Sequence, residues 1–410
     1  MVSDTVNKVQ VLICWHWDPL DSYPGGIGRV IKDMIQHSPD SFEFTVLTNT
    51  SERIKLHKKI SYKIGGKTCT LIPIMTMSNV QNKLIPLRLK YMIAIRKYLK
   101  NHNITDYVIH FHGIEPWFGF GKLKKNSKVL FLHKDPGYRW EEISESYWRF
   151  IPKPIYDYLE AKVFNDIDKV YFVNKAAYRK YSQKYSVLKN KFSLISTWVD
   201  TGSFYPMPED QREGLHLIRK EYGIPENCNL LFYYGRYDEI KNPLLLIRAI
   251  DLLKNKFDNI YLLMVGDGIL KNKMIHLTNE LHLEKYISIR GYQDSSFIRK
   301  VLWIADVTVL PSRKEGMSMA INESLGCGCP VVGFNVGEIE RVVKPGKSGE
   351  IVYGEQSPEN FASSLETVLK NLNYYNNARK DIANSIKQLT PWNVLKPVFE
   401  ETELLSQHLK

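Results

Sequence analysis

Residues 230–266 read LLFYYGRYDEIKNPLLLIRAIDLLKNKFDNIYLLMVG, and this stretch decides the fold. Residues 230–235 are an apolar run closed by a glycine, the length of a buried strand. Residues 243–256 carry apolar side chains at helical spacing behind Pro243, a residue suited to a first helical turn. Residues 260–266 are a second apolar run. Strand, helix and strand in this order form a βαβ unit with two parallel strands. The alternation continues on both sides. Downstream, 287–292, 307–311 and 330–333 read as strands, with 318–325 as the helix before the last. Upstream, 9–15, 42–48, 107–111, 128–133 and 169–173 read as strands, and 27–37 as a helix after the first. Residues 200–212 have turn chemistry without periodicity and make the best linker. The expectation is two facing Rossmann-like, doubly wound parallel-sheet domains, with ligands off the carboxyl ends of the strands.

The bulk properties agree with that size of object. A chain of 410 residues suggests two or three domains. Hydrophobic residues at 44% and charged residues at 24% exclude wholesale disorder. No apolar run is long enough to span a bilayer. The start Met1-Val2-Ser3-Asp4 lacks the pattern of a secretory signal, so a cytoplasmic chain is expected. Five scattered cysteines fit reduced thiols.

The net charge is +12, and it is unevenly placed. Residues 1–200 hold 31 Lys/Arg and 18 Asp/Glu, a net of +13, whereas residues 201–410 hold 25 and 26, a net of −1. No acid lies between Glu52 and Asp106, an interval with twelve basic residues from Arg53 to Lys100. Residues 83–100 read as a basic amphipathic helix. Its stripe is Leu84, Leu87, Tyr91, Ile95 and Leu99, with Arg88, Lys90, Arg96, Lys97 and Lys100 around it. The plain reading is a helix docked on its own domain with solvated lysines. The sharper one is a surface that meets anionic lipid headgroups.

Three motifs carry chemistry. Tyr23-Pro24-Gly25-Gly26-Ile27-Gly28-Arg29 joins the first strand to a helix, where glycine and free N–H groups suit an anion. It lacks the spacing of a dinucleotide fingerprint, and taken alone a tight strand-to-helix turn is the favoured reading. Gly235-Arg236 with Lys241-Asn242-Pro243 sets two cations past a strand end. A diphosphate calls for such a pair, since Arg clasps two oxygens and Lys supplies a point charge. Glu315-Gly316-Met317-Ser318-Met319-Ala320-Ile321-Asn322-Glu323 places one carboxylate in the turn after a strand and another two turns down a helix. The amides of Gly316, Met317 and Ser318 lie between them, at a helix N-terminus. Carboxylates accept paired hydrogen bonds from vicinal diols, so the two acids suit a hexose and a ribose.

Other features have plainer readings. Asp166-Ile167-Asp168 fits a helix-end loop. Cys327-Gly328-Cys329 is one C-x-C without further ligands, so no metal is expected there. Of His110 and His112, alternating at a strand end, His110 suits a structural role and His112 the cleft. His16 and Trp17, at the end of the first strand, suit an acceptor border or core packing.

With these residues in view, the run from Gly235 to about Tyr353 closely resembles the donor-binding domain of retaining family-4 glycosyltransferases of GT-B architecture. The shared residues are Gly235-Arg236 with Lys241-Asn242-Pro243, Leu262 to Gly268, Ile289 to Tyr292, Ala305-Asp306 and Leu310-Pro311-Ser312. The Glu315/Glu323 pair, Cys327 to Val332, Val336-Gly337-Glu338 and Gly349 complete the set. The first half is similar only at the Gly-Gly-Ile-Gly turn, at His110 to Gly113, at Leu132-His133 and near Val199-Asp200. The resemblance implies domains at 1–203 for the acceptor and 204–388 for the nucleotide-sugar donor, with a helix at 389–410 returning to the first. It implies that Arg236 and Lys241 neutralise the donor diphosphate and that Glu323 binds the ribose. Glu315 would hold the hexose with the amides of Gly316, Met317 and Ser318. Gly26 would approach the diphosphate, His133 the sugar, and Tyr292 the base. It implies transfer with retained anomeric configuration and no metal or cofactor.

The expected function is therefore transfer of a hexose-type sugar from a nucleoside-diphosphate sugar, UDP-linked or GDP-linked, to a hydroxyl of a glycan acceptor. Cell-surface polysaccharide or lipopolysaccharide synthesis is the expected setting. A nucleotide-sugar epimerase of the same two-domain shape is the alternative, but such enzymes lack the Glu315 and Glu323 arrangement. A nucleic-acid-binding protein is more remote, because the basic half carries no such module. The +13 then belongs to the acceptor half. It points to a peripheral enzyme whose 53–100 region meets an anionic membrane near a lipid-linked glycan.

Overall fold

A computed structural model describes residues 8–16, 18, 25–50, 54–76, 87–121, 125–133, 151–316 and 318–409. Trp17, Met317, Arg53 and Leu84 lie outside the described residues. By contacts the chain divides into two units, Met1–Ser196 with Pro391–Lys410, and Thr197–Thr390. The divisions thus fall at 196/197 and 390/391 rather than at the expected 203/204 and 388/389.

The first unit is built on eight strands: β1 (Val9–Cys14), β2 (Phe42–Thr50), β3 (Ile60–Ile64), β4 (Lys67–Thr76), β5 (Val108–Phe111), β6 (Lys128–Leu132), β7 (Lys169–Phe172) and β8 (Phe192–Leu194). They lie in the order β3-β4-β2-β1-β5-β6-β7-β8. β1 pairs in parallel with β2 (Val9 opposite Phe42) and with β5 (Val11 opposite Val108), so strand order reverses at β1. β1, β5 and β6 are buried along nearly their whole length, as strands covered by helices on both faces must be.

The sheet is not wholly parallel. β3 runs antiparallel to β4, with Ile64 opposite Lys67. The two residues between them, Gly65 and Gly66, have φ of +51° and +87°. A two-residue turn that matches the strand twist needs positive φ at both central positions, which Gly-Gly supplies without steric cost.

The helix expected at 83–100 is described at Leu87–Leu99, and its buried face is Tyr91, Ala94, Ile95 and Tyr98. This corrects the expected stripe by one residue: Leu99 is only half-buried, and Tyr98 takes the inward position. Arg88, expected among the solvated charges, instead pairs with the buried carboxylate of Glu115 at 2.6 Å. The C-terminal helix Pro391–Gln407 belongs to the first unit. It is fixed by polar contacts to three strands or their lead-ins. Thr402 Oγ1 lies 3.1 Å from His110 Nε2, Ser127 donates to the Leu405 carbonyl and Tyr171 to that of Pro397.

The second unit holds β9 (Asn229–Tyr234), β10 (Ile260–Val265), β11 (Ile287–Arg290), β12 (Val307–Leu310), β13 (Val331–Phe334) and β14 (Gly349–Val352). Their order is β11-β10-β9-β12-β13-β14 and every pairing is parallel. This is the doubly wound order, with its switch point between β9 and β12, and ligands of such sheets sit off the carboxyl ends at that point. Arg236 follows β9 and Glu315 follows β12.

Candidate functional site

The second unit gathers its charges around two strand ends. After β9 the Tyr233 hydroxyl donates to the Arg236 carbonyl at 2.7 Å, pinning the turn. Asp238 then does two jobs. One oxygen accepts the Lys241 backbone N–H at 2.9 Å, and the other pairs with the Arg236 guanidinium at 2.7 Å. Asn242 takes left-handed φ, +50°, and the helix Pro243–Leu253 starts directly after it. The Arg313 N–H donates to the Ile240 carbonyl at 2.8 Å, joining this loop to the one after β12.

That joining brings the two motifs together. The Lys241 ammonium bonds the Glu315 carboxylate, which also accepts the Ser312 hydroxyl at 2.8 Å. Lys241 is 22% and Glu315 14% exposed at the side chain, whereas Arg236 is 62% exposed. Thus one cation is held against its carboxylate and the other projects into solvent on the tether of Asp238. Gly337 packs under the same turn. Its φ is +63°, and a Cβ there would meet the Gly316 carbonyl oxygen at 2.3 Å. Only glycine lets the 336–338 turn come so close to Glu315 and Gly316.

The helix Met319–Gly326 follows Ser318, which is buried. Its position is fixed by Tyr234, whose hydroxyl donates to the Ala320 carbonyl at 2.8 Å and lies 3.1 Å from Ser324 Oγ. Burial, and next the charge of Glu323, push the Tyr234 phenol well above its usual range, so it stays a donor. Glu323 itself is only 2% exposed, on the inward side two turns below Glu315. Leu310, Ser312, Glu315, Ser318, Ile321 and Phe334 line a narrow recess with Val336 and Ile339. Tyr292, after β11, is 43% exposed.

The first unit presents a second set at the carboxyl ends of β1, β5 and β6. Gly26 lies in the first turn of the helix Gly25–Gln36, exposed, and a Cβ added there would meet nothing within 4 Å. His16, past β1, packs between Trp15 and Tyr91, with ring centroids 4.1 and 6.0 Å away. Burial, then the neighbouring Arg88, lower its pKa to about 4. His112 and His133 face each other at 2.9 Å, Nδ1 to Nε2. His110 is turned away from them toward Thr402.

Two expected loops have local partners. Asp166 accepts the Trp117 indole N–H at 2.6 Å and Asp168 accepts the Lys128 N–H at 2.7 Å. Cys327 and Cys329 are buried free thiols. Among the described residues no group of three His, Cys, Asp or Glu is placed to hold a metal ion. Sequence reasoning missed Asp238, Ser312 and the Arg88–Glu115 pair. An Asp two residues after Arg236 and three before Lys241 is the spacing of a side chain that caps its own turn, and that signal was available.

Comparison with known proteins covers both halves. Residues 24–203 match the family model Glycosyltransferase Family 4, and residues 216–387 match Glycosyl transferases group 1. A curated relative, N-acetyl-alpha-D-glucosaminyl L-malate synthase of Bacillus anthracis, is 26% identical over 40% of this chain and 43% of its own. A D-inositol 3-phosphate glycosyltransferase of Thermomonospora curvata is 26% identical over 46% and 45%. The chain thus spans about half the length of the curated relatives it matches. Among solved structures, sucrose-phosphate synthase from Thermosynechococcus elongatus superposes with a TM-score of 0.77 at 17% identity. It covers 98% of this chain and 99% of its own. The Anabaena protein HepE in complex with UDP and glucose superposes at 0.69 and 13% identity, over 96% and 99%. With a matching model on each half and this fold throughout, the chain belongs to the family-4, group 1 glycosyltransferases of GT-B type.

Proposed function

We propose that the protein transfers a hexose-type sugar, with retention of anomeric configuration, from a nucleoside-diphosphate sugar to a hydroxyl of a glycan acceptor. UDP is the favoured nucleotide, with GDP second. The observation that carries this reading is the meeting of Arg236, Lys241 and Glu315 at the β9/β12 switch point, joined through Asp238 and Ser312. A bound UDP and glucose in the HepE structure supports the same ligand class.

In the reaction the bond between the sugar C1 and the diphosphate oxygen breaks, and a bond forms between C1 and the acceptor oxygen on the same face. The acceptor proton passes to the departing diphosphate oxygen. Negative charge grows on that diphosphate, and fixed positive groups aimed at developing charge are usually the largest catalytic term. Arg236 and Lys241 supply them, in place of a divalent cation. Glu315 and the amides of Gly316, Met317 and Ser318 hold the hexose hydroxyls, and Glu323 the ribose. Gly26 brings backbone N–H groups to the diphosphate. His133 reaches the sugar, and Tyr292 borders the base. His16 and Trp17 belong to the acceptor side, whereas His112, expected there as well, is 1% exposed and backs His133 instead.

The setting we propose is the cytoplasmic face of a membrane, in cell-surface polysaccharide or lipopolysaccharide synthesis with a lipid-linked acceptor. Among the described residues no helix is long and apolar enough to cross a membrane. The outer face of the helix Leu87–Leu99 supports docking instead: Ile93 is 43% exposed, and Arg96, Lys97 and Lys100 are exposed beside it. A panel of UDP-, GDP- and ADP-sugars scored by protection against thermal unfolding tests the donor. Stabilisation by UDP-sugars and transfer on adding acceptor are expected. Protection by none of the panel would end the reading, and a changed sugar recovered from donor alone would favour an epimerase.

A further inference from the structure

Five rings form a ladder across the carboxyl ends of β5, β6 and β7, or close to it. Phe131 lies between its strand neighbours: its centroid is 4.8 Å from that of His112, at 10°, and 5.4 Å from that of Tyr171, at 19°. His110 tilts against it from the same strand as His112, at 5.3 Å. His133 then lies edge to edge with His112, the ring centroids 5.2 Å apart and the planes 9° from parallel. His112 is 1% exposed, so its ring has no freedom to turn. Its Nδ1 is 2.9 Å from His133 Nε2, and its Nε2 has no partner among the described residues.

Which nitrogen carries the proton follows from these contacts. Burial first, then His133 and His110, hold His112 well below the ordinary histidine range, so its ring is neutral. One arrangement has His112 Nδ1–H donating to His133 Nε2, which leaves a lone pair unpartnered at His112 Nε2. The other has His133 Nε2–H donating, which leaves a buried N–H there with no acceptor among the described residues. A buried N–H without a partner forfeits its hydrogen bond outright and is rarer in folded proteins than an unpartnered acceptor. His110 shows the same choice two residues away. The Thr402 hydroxyl donates to the Val398 carbonyl at 2.7 Å, so its oxygen accepts from His110 Nε2–H and the lone pair of Nδ1 is the group left over.

We propose that His112 is a positioning residue: its Nδ1–H bond fixes His133 in the Nδ1–H tautomer, so that His133 offers a hydrogen-bond donor to a hydroxyl oxygen of the donor sugar. The sugar contact rests on the function proposed above; the tautomer does not. A donor at that place selects for an oxygen that can accept and sets how the hexose is turned. Phe131 contributes by keeping both imidazoles coplanar.

The test is long-range 1H–15N correlation on the whole chain labelled with 15N-histidine, assigned with the His112 and His133 variants. Wild type should show His133 protonated at Nδ1. His112→Asn, whose amide sets an N–H where Nδ1 was, should keep that state. His112→Phe, which keeps a stacked ring without a donor, should lose it. UDP-glucose affinity should fall roughly 2- to 10-fold in His112→Phe, the worth of one neutral hydrogen bond, and recover in His112→Asn. His133 protonated at Nε2 in wild type, or unchanged by His112→Phe, overturns the proposal. If His133→Ala bound UDP-glucose like wild type while the tautomer pattern held, the sugar contact would fail and the positioning would stand.

Discussion

Lys241→Ala separates the two duties given to one ammonium group. Without ligand, Lys241 neutralises Glu315, whose carboxylate also accepts the Ser312 hydroxyl. Both side chains are about one-fifth exposed or less, between the surface limit of ~0–1 kcal/mol and the fully buried limit of ~3–5 kcal/mol for breaking a pair. Screening at that exposure places the loss at about 1–3 kcal/mol. For a unit of this size that is roughly 2–10 °C in the melting temperature. In the proposed reaction the same group faces the departing diphosphate, where loss of one placed donor costs about 10²–10³ in kcat. The double variant Lys241→Ala/Glu315→Gln divides the effects: stability should recover in part, because no lone carboxylate remains, while transfer stays low. Thermal melts with and without UDP, beside initial transfer rates, read both. If Lys241→Ala kept more than about a third of wild-type transfer, the diphosphate role would be wrong. If the double variant regained transfer, Lys241 would be serving Glu315 alone.

Three further outcomes are expected. Gly26→Ala meets no neighbour, so the melting temperature should be unchanged or slightly raised while UDP-sugar affinity falls; equal loss of both would mean that the glycine serves the fold. His16 is held neutral with its pKa lowered to about 4, against about 6.5 when unfolded. The unfolded chain therefore takes up the proton first, and stability falls as pH drops from 6.5 to 4 by roughly 3 kcal/mol, a slope that His16→Phe should reduce in urea titrations at pH 7 and pH 5. Replacing Arg96, Lys97 and Lys100 by Glu should lower co-sedimentation with anionic vesicles by at least about 100-fold, at ~1 kcal/mol per charge, with no change on neutral vesicles. Equal recovery of wild type on both vesicle types would remove the membrane surface from the proposal.

The second unit was legible because its strands are buried on both faces and read as unbroken apolar runs. Its motifs also stand at the strand ends, where local sequence and site coincide. The expected bounds at β9, β10 and β12 differ from the observed ones by a residue or so. What escaped was shorter or less local. β8 is a three-residue edge strand with too few positions to show a period. The β3–β4 hairpin was hard to read despite the turn signal of Gly65-Gly66, because Lys63 and Lys67 flank the turn and β3 is only partly buried, so no apolar run marks it. Arg88 looked solvated because its partner, Glu115, comes 27 residues later in another element. The bond between Lys241 and Glu315 spans 74 residues, so each was readable as a motif and their union was not.

The path of the chain has a consequence for how the protein is made. The second unit is one continuous stretch, Thr197–Thr390, and can fold as soon as it has left the ribosome. The first unit cannot finish then, because its last helix, Pro391–Gln407, is still to come. Until it arrives, His110, Ser127 and Tyr171 have their helix-facing groups open, and the contact between His110 and Thr402 must close across 292 residues. The early half of the newborn chain therefore waits, incomplete, for the late one. A chain that has just released residue 390 from the ribosome holds a finished second unit and an unfinished first one, the state most exposed to proteases and chaperones.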